Sequence, residues 1–247
     1  MTDRRLRLAQ AGVAAAGALV CACAGWLVAC TPPSRDLQAG TYRAVVDSPG
    51  GDLPFGLQVT QGPQGFVLTL VNGEERLPGT RLQVTKAGQL SVLLPGGASS
   101  LAARISGGEL RGEIAFAAAD GRTHQLPFKA MRGQSWRFFE QPQTDNIDAA
   151  GRWDVAFTDG HGKAIRGVAE FRQKFEQVTA TIETPQASYR LVGEVHGDEL
   201  LLSYFDGRVG QLLLARTNKQ GSLEGETWLL PTTHLQFVAV RLPATAP

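Results

Sequence analysis

The chain has 247 residues, with 43% hydrophobic, 19% charged and 7% aromatic side chains, and 24 Lys plus Arg against 23 Asp plus Glu. That balance excludes a disordered or collagen-like chain. A net charge of +1, with arginines scattered along the sequence, excludes the broad basic field that tracks nucleic-acid phosphates.

The first segment reads as an export signal. Arg4, Arg5 and Arg7 form a positive start, and no charged residue occurs in the 22 positions from Leu8 to Ala29. Leu27-Val28-Ala29-Cys30 then matches the lipobox of bacterial lipoproteins, followed by the polar tether Thr31-Pro32-Pro33-Ser34. This resemblance implies cleavage after residue 29, lipidation (palmitate) of Cys30, and a membrane partner reached through acyl chains, which anchor stably when two or more are present. Thr31 in place of Asp resembles the outer-membrane sorting pattern, so the expected location is the periplasmic side of the outer membrane. Arg4-Arg5 also resembles a twin-arginine signal, although Arg7 stands where that motif prefers an apolar residue.

All three cysteines lie at or before position 30. A lipidated Cys30 leaves the mature body without a thiol, which excludes a disulfide framework, a Cys nucleophile and a Cys zinc site. Removal of the signal takes the net charge from +1 to −1.

An internal repeat organises the rest. Leu126-Pro127-Phe128-Lys129-Ala130-Met131-Arg132 and Leu235-Gln236-Phe237-Val238-Ala239-Val240-Arg241 share L-x-F-x-A-x-R at an offset of 109. Ala39-Gly40-Thr41-Tyr42 answers Ala150-Gly151-Arg152-Trp153 at 111, and Gly108-Glu109-Leu110 answers Gly221-Ser222-Leu223 at 113. The order and near-constant offset indicate a duplication with small insertions. The expected organisation is a signal at 1–29, lipidated Cys and tether at 30–38, a first module at 39–133, a linker at 134–149, and a second module with a short tail at 150–247.

Within a module the hydrophobic period is two. Trp153, Val155 and Phe157 share one face, as do Val178, Ala180 and Ile182. The predicted strands of the second module are 152–158, 168–173, 177–184, 189–195, 199–205, 211–217, 222–229 and 235–242, separated by turn signals such as Asp206-Gly207 and Asn218-Lys219-Gln220-Gly221. About eight strands in so short a module leave no room for crossover helices, so the fold class is all-β: two tandem antiparallel meander modules. Each module forms its own barrel or sandwich, or all strands share one larger sheet. Gly151-Arg152-Trp153 resembles the G-x-W that opens lipocalin barrels.

The second module also resembles a known family. Val178-Thr179-Ala180-Thr181-Ile182-Glu183-Thr184-Pro185, Tyr189-Arg190-Leu191-Val192-Gly193 and Leu202-Ser203-Tyr204-Phe205-Asp206-Gly207 are similar to the β-rich region ahead of the thioredoxin fold in envelope proteins of the TlpA thiol-disulfide reductase family. That family continues into a redox domain with paired cysteines, whereas this chain stops at Pro247, so the resemblance implies the β region without the reductase chemistry.

No reaction motif emerges. His161 and His196 lie in turns beside Gly, and His124 and His234 occupy matching places before the L-x-F strands. Ser203 has no G-x-S-x-G elbow, and Glu224 and Glu226 read as a solvated strand face. No catalytic residue, cofactor or metal is expected. More informative are Leu200-Leu201-Leu202 and Leu212-Leu213-Leu214, which are apolar on both strand faces and need cover on both. Leu201, Leu213 and the linker aromatics Trp136, Phe138 and Phe139 are therefore the candidate interface or cavity residues. The expected function is a non-catalytic binding or scaffolding module with an envelope-protein partner. The alternatives are an accessory to a separate thioredoxin-fold protein, and a lipocalin-like carrier of a small apolar ligand.

Overall fold

Strands alternate side chains between two faces, and the sequence alternates accordingly: Ser99–Ser106 buries every second residue, and so does Gln177–Glu183. The computed structural model describes residues 34–117 and 122–243, so Cys30 and the segment before it lie outside the described residues. Nine antiparallel strands form the first module: β1 (Gly40–Ser48), β2 (Gly51–Gly62), β3 (Gly65–Asn72), β4 (Glu75–Pro78), β5 (Thr80–Val84), β6 (Gln89–Leu93), β7 (Ser99–Ser106), β8 (Glu109–Ala117) and β9 (Thr123–Arg132). Eight form the second: β10 (Gly151–Thr158), β11 (Ala164–Lys174), β12 (Gln177–Glu183), β13 (Ser188–His196), β14 (Glu199–Phe205), β15 (Gly210–Thr217), β16 (Leu223–Leu229) and β17 (Thr233–Arg241).

The second module is a closed barrel in which each strand pairs with the next and β17 returns to β10, from Trp153↔Arg241 to Thr158↔Gln236. The first runs β4-β3-β2-β1-β9-β8-β7-β6-β5 and is nearly closed. Its gap falls at Gly79, the single residue between β4 and β5. Pro78 has no amide hydrogen to continue a ladder, and a Cβ on Gly79 would stand 2.9 Å from Val92 Cγ2, so the segment breaks there into two short strands. This break makes the first module nine-stranded rather than eight.

The repeated motifs form one device in both modules. Tyr42 donates its hydroxyl hydrogen to the Gln38 carbonyl at 2.7 Å, and Trp153 donates its indole N–H to the Ala149 carbonyl at 3.0 Å, each four residues back. Arg132 Nε donates to the Ala39 carbonyl at 2.9 Å, and Arg241 Nη1 donates to the Ala150 carbonyl. The last strand of each module thus fastens the entry to its first strand. The Arg241 guanidinium also lies 4.5 Å over the Trp153 ring.

Both interiors are filled by side chains. Trp153, Phe171, Ile182, Leu191, Leu202, Leu213 and Phe237 pack inside the second barrel. Tyr42, Leu57, Leu68, Leu101 and Ile114 pack inside the first.

Both modules fall in one unit, and the wall of the second barrel covers an end of the first. Phe205 on β14 and Leu212 on β15 belong to the first module's core, with Leu214, Trp228 and Leu230 packed against it. The Phe205 ring sits 4.6 Å from Phe55 and 5.9 Å from Phe116, at the strand ends beside Asn72 and Leu94. Leu212 and Leu213 therefore serve two different cores from adjacent positions of one strand. Two glycines permit the close approach. A Cβ on Gly50 would lie 2.2 Å from Trp228 Cδ2, and one on Gly207 (φ +91°) would lie 2.9 Å from Leu94 and Pro95.

Candidate functional site: the cleft between the barrels

Beside this junction the linker crosses from one barrel to the other, and its backbone polar groups need partners where it is covered. Gly133, at φ +82°, turns the chain out of β9, and its N–H donates to the Thr41 carbonyl at 2.9 Å. Glu194 on β13 then holds the strap: one carboxylate oxygen accepts the N–H of Arg137 at 3.2 Å, the other those of Phe138 at 3.2 Å and Phe139 at 3.1 Å. Three successive backbone donors on one carboxylate form charge-assisted bonds, which are stronger than neutral ones.

The Arg137 side chain extends the join. Its Nε donates to Ser203 Oγ at 2.9 Å, and Nη2 donates to the Ser203 carbonyl at 3.0 Å and to Asn72 Oδ1 at 3.4 Å. Ser203 Oγ donates to the Pro54 carbonyl of the first barrel at 2.6 Å. Asn72 pairs with Phe205 like a strand edge, donating to its carbonyl at 2.6 Å and accepting its N–H at 3.2 Å. On the first barrel, Arg43 Nε donates to the Arg137 carbonyl at 2.9 Å, and the Arg43 guanidinium lies 3.8 Å over the Trp136 ring.

Burial pulls the Arg137 pKa down to about 10; Glu194 opposes the shift and the neighbouring Arg43 charge adds to it. Arg43 is lowered as well, chiefly by burial, with Asp52 and Glu194 opposing. Across the cleft, burial first, then the Asp206 and Glu75 carboxylates, push the Tyr204 hydroxyl up to about 12.

These groups stand on a cleft of about 920 Å³. The outer faces of β11 to β13 form one wall, and Thr41, Arg43, the Gly73–Glu75 turn and the linker at 134–137 form the other. Thr179 and Thr181 present hydroxyls from β12, while Arg172 and Arg190 add charge from its neighbours.

The residues singled out from sequence occupy distinct places. Trp136 lines the cleft beneath Arg43. Phe138 packs against the first core, and Phe139 stacks on His196 with ring centroids 4.0 Å apart. Leu201 is half-buried on the outer face of β14, and Leu213 lies inside the second barrel; Leu212 and Leu214 carry that strand's contact with the first core. Asn72, Arg137 and Glu194 have no signal in the sequence beyond an arginine set within the aromatic run Trp136-Arg137-Phe138-Phe139.

No protein-family model matches the chain, and no curated protein does. Among solved structures it is similar to a protein of unknown function of the DUF3598 family from Nostoc punctiforme, at 13% identity and a TM-score of 0.29, covering 82% of this chain and 95% of that one. It is also similar to an outer membrane protein, so described on a provisional basis, from Bacteroides fragilis, at 9% identity and a TM-score of 0.26, covering 83% of this chain and 97% of that one.

Proposed function

We propose that the protein is a lipid-anchored cell-envelope protein, held through Cys30, and that it works as a non-catalytic binding module whose receiving surface is the cleft between the barrels. The anchor rests on the sequence: the positive start, the apolar run and Leu27-Val28-Ala29-Cys30. The observation that carries the binding role is the cleft itself, a preformed concavity of about 920 Å³ between two barrels whose own interiors are packed. An apolar ligand inside either barrel would have to displace buried side chains such as Phe171 or Leu68. Three polar groups beside the cleft support a non-catalytic reading because they are engaged in holding the structure. Glu194 is occupied by backbone amides, Ser203 by Pro54 and Arg137, and Asn72 by Phe205.

The test is native mass spectrometry of the mature protein extracted gently from its own envelope, beside a Thr179→Trp variant. Thr179 is exposed on the cleft wall, so an indole there fills the cleft without entering a core. The expected result is a bound molecule on the wild type that Thr179→Trp loses. A bare wild-type protein, or an equally loaded variant, overturns the reading.

A further inference from the structure

Two guanidinium groups meet in the cleft with bonding capacity left over. Arg137 commits Nε and Nη2 to Ser203 and Asn72, and its Nη1 has no acceptor among the described residues. Among those residues no buried side-chain nitrogen or oxygen lacks a partner, so Nη1 keeps some exposure, and Arg137 lines the cleft. Arg43 commits only Nε, to the Arg137 carbonyl, and lies over the Trp136 ring; its two terminal nitrogens have no hydrogen-bond acceptor among the described residues. Both side chains are thus oriented before any ligand arrives, which removes part of the ordering cost of binding.

The carboxylates that act on the two guanidinium groups are engaged elsewhere. Glu194 is the carboxylate that acts on both arginines, and its oxygens already receive three backbone N–H groups. Asp52 acts on Arg43 as well, but it is paired with Lys129 at 3.2 Å, so the two guanidinium groups share carboxylates that already have other partners. Planar guanidinium groups with free N–H pairs match the paired oxygens of a carboxylate or phosphate. The rest of the cleft is of mixed character, with Thr179, Thr181 and Gln177 on one wall and Glu74 and Glu75 on the other.

We infer that Arg43 and Arg137 form an anion site that receives the carboxylate or phosphate group of a polar ligand lying in the cleft. This names the ligand chemistry of the binding surface proposed above and rests on that reading. Arg43 is the adjustable partner, since only its Nε and its ring contact are committed. Arg137 is held by the junction.

The test is a titration of the mature protein in detergent, with ¹⁵N-labelled arginine side chains, using inorganic phosphate and succinate as probes and sodium chloride at matched ionic strength as the control. The Nε–H signals of Arg43 and Arg137 should move saturably with one or both probes and not with chloride. A response to phosphate alone identifies a phosphate site, and one to succinate alone a carboxylate site. Arg43→Gln should weaken binding by about tenfold, the scale of one charge-assisted contact. Arg43→Lys keeps the charge without the planar fork and should weaken it by a smaller factor. Signals that follow ionic strength alone overturn the site, as does unchanged affinity in both variants. Loss of the anion response alone leaves the cleft a binding surface of other chemistry, whereas a bare protein in the native mass spectra removes the partner and leaves the anion site standing.

Discussion

Arg137 reaches Ser203 twice, through Nε to the hydroxyl at 2.9 Å and through Nη2 to the carbonyl at 3.0 Å, across 66 residues of chain. The same hydroxyl donates to Pro54, so one serine joins the linker, the second barrel and the first. Hydrogen bonds of this kind contribute little net stability when made and cost much more when one partner is left buried and unpaired.

Ser203→Ala removes the Nε acceptor and leaves the Pro54 carbonyl without its donor. The expected loss is about 1–3 kcal/mol in urea unfolding, the cost of stranding a buried polar group. An unchanged midpoint would show that the junction does not depend on this serine.

Gly50 faces the Trp228 ring across the two barrels, where an added Cβ would come within 2.2 Å. Gly50→Ala should destabilise by about 1–3 kcal/mol through overpacking. Trp228→Ala made in that background should recover part of the loss, giving a non-additive double-mutant cycle. Additive effects would place the clash elsewhere.

Phe175 sits in the tight turn between β11 and β12 with φ +58° and 81% exposure. A bulky side chain is strained in that conformation, which Asn tolerates. Phe175→Asn should raise the unfolding free energy by about 0.5–1 kcal/mol, since few contacts are lost. A lower melting temperature would show that the ring is held by contacts that outweigh the strain.

Tyr204 carries a pH dependence. Its pKa stands at about 12 in the folded chain, above the ordinary tyrosine value of 10.0. A raised folded-state pKa gives stability that is fully present below pH 10 and is lost as pH rises through about 12, because the unfolded chain ionises first. In wild type minus Tyr204→Phe difference spectra, the phenolate absorbance should therefore appear near pH 12, and the variant should lose less stability over that interval. A difference spectrum centred near pH 10 would contradict the burial of this hydroxyl beside Asp206 and Glu75.

Most of the architecture is legible because strands leave a local trace. Alternation such as Trp153, Val155 and Phe157 gives the strand and its inner face together, and the eight strands of the second barrel follow from it. The doubly apolar run Leu212-Leu213-Leu214 signals a second covering surface, and the structure divides it between two cores. Gly79 left no such trace, because a glycine within a β-rich stretch does not reveal which neighbour crowds it; here that neighbour is Val92. The cleft was less legible still. Arg137 reads as a solvated linker charge until Asn72 and Ser203, 65 and 66 residues away, are brought beside it. Glu194 reads as an ordinary outward strand residue, although its partners are backbone amides of the linker. Period-two patterns carry strand geometry but no information on which strand faces meet.

The most direct test of the central claim is photocrosslinking in living cells, with a photoreactive phenylalanine analogue placed at Thr179 on the cleft wall and, separately, at exposed Val240 on β17. The account predicts a discrete adduct from Thr179 and none from Val240. No adduct at Thr179, or the same adducts at both positions, would contradict a binding role for the cleft.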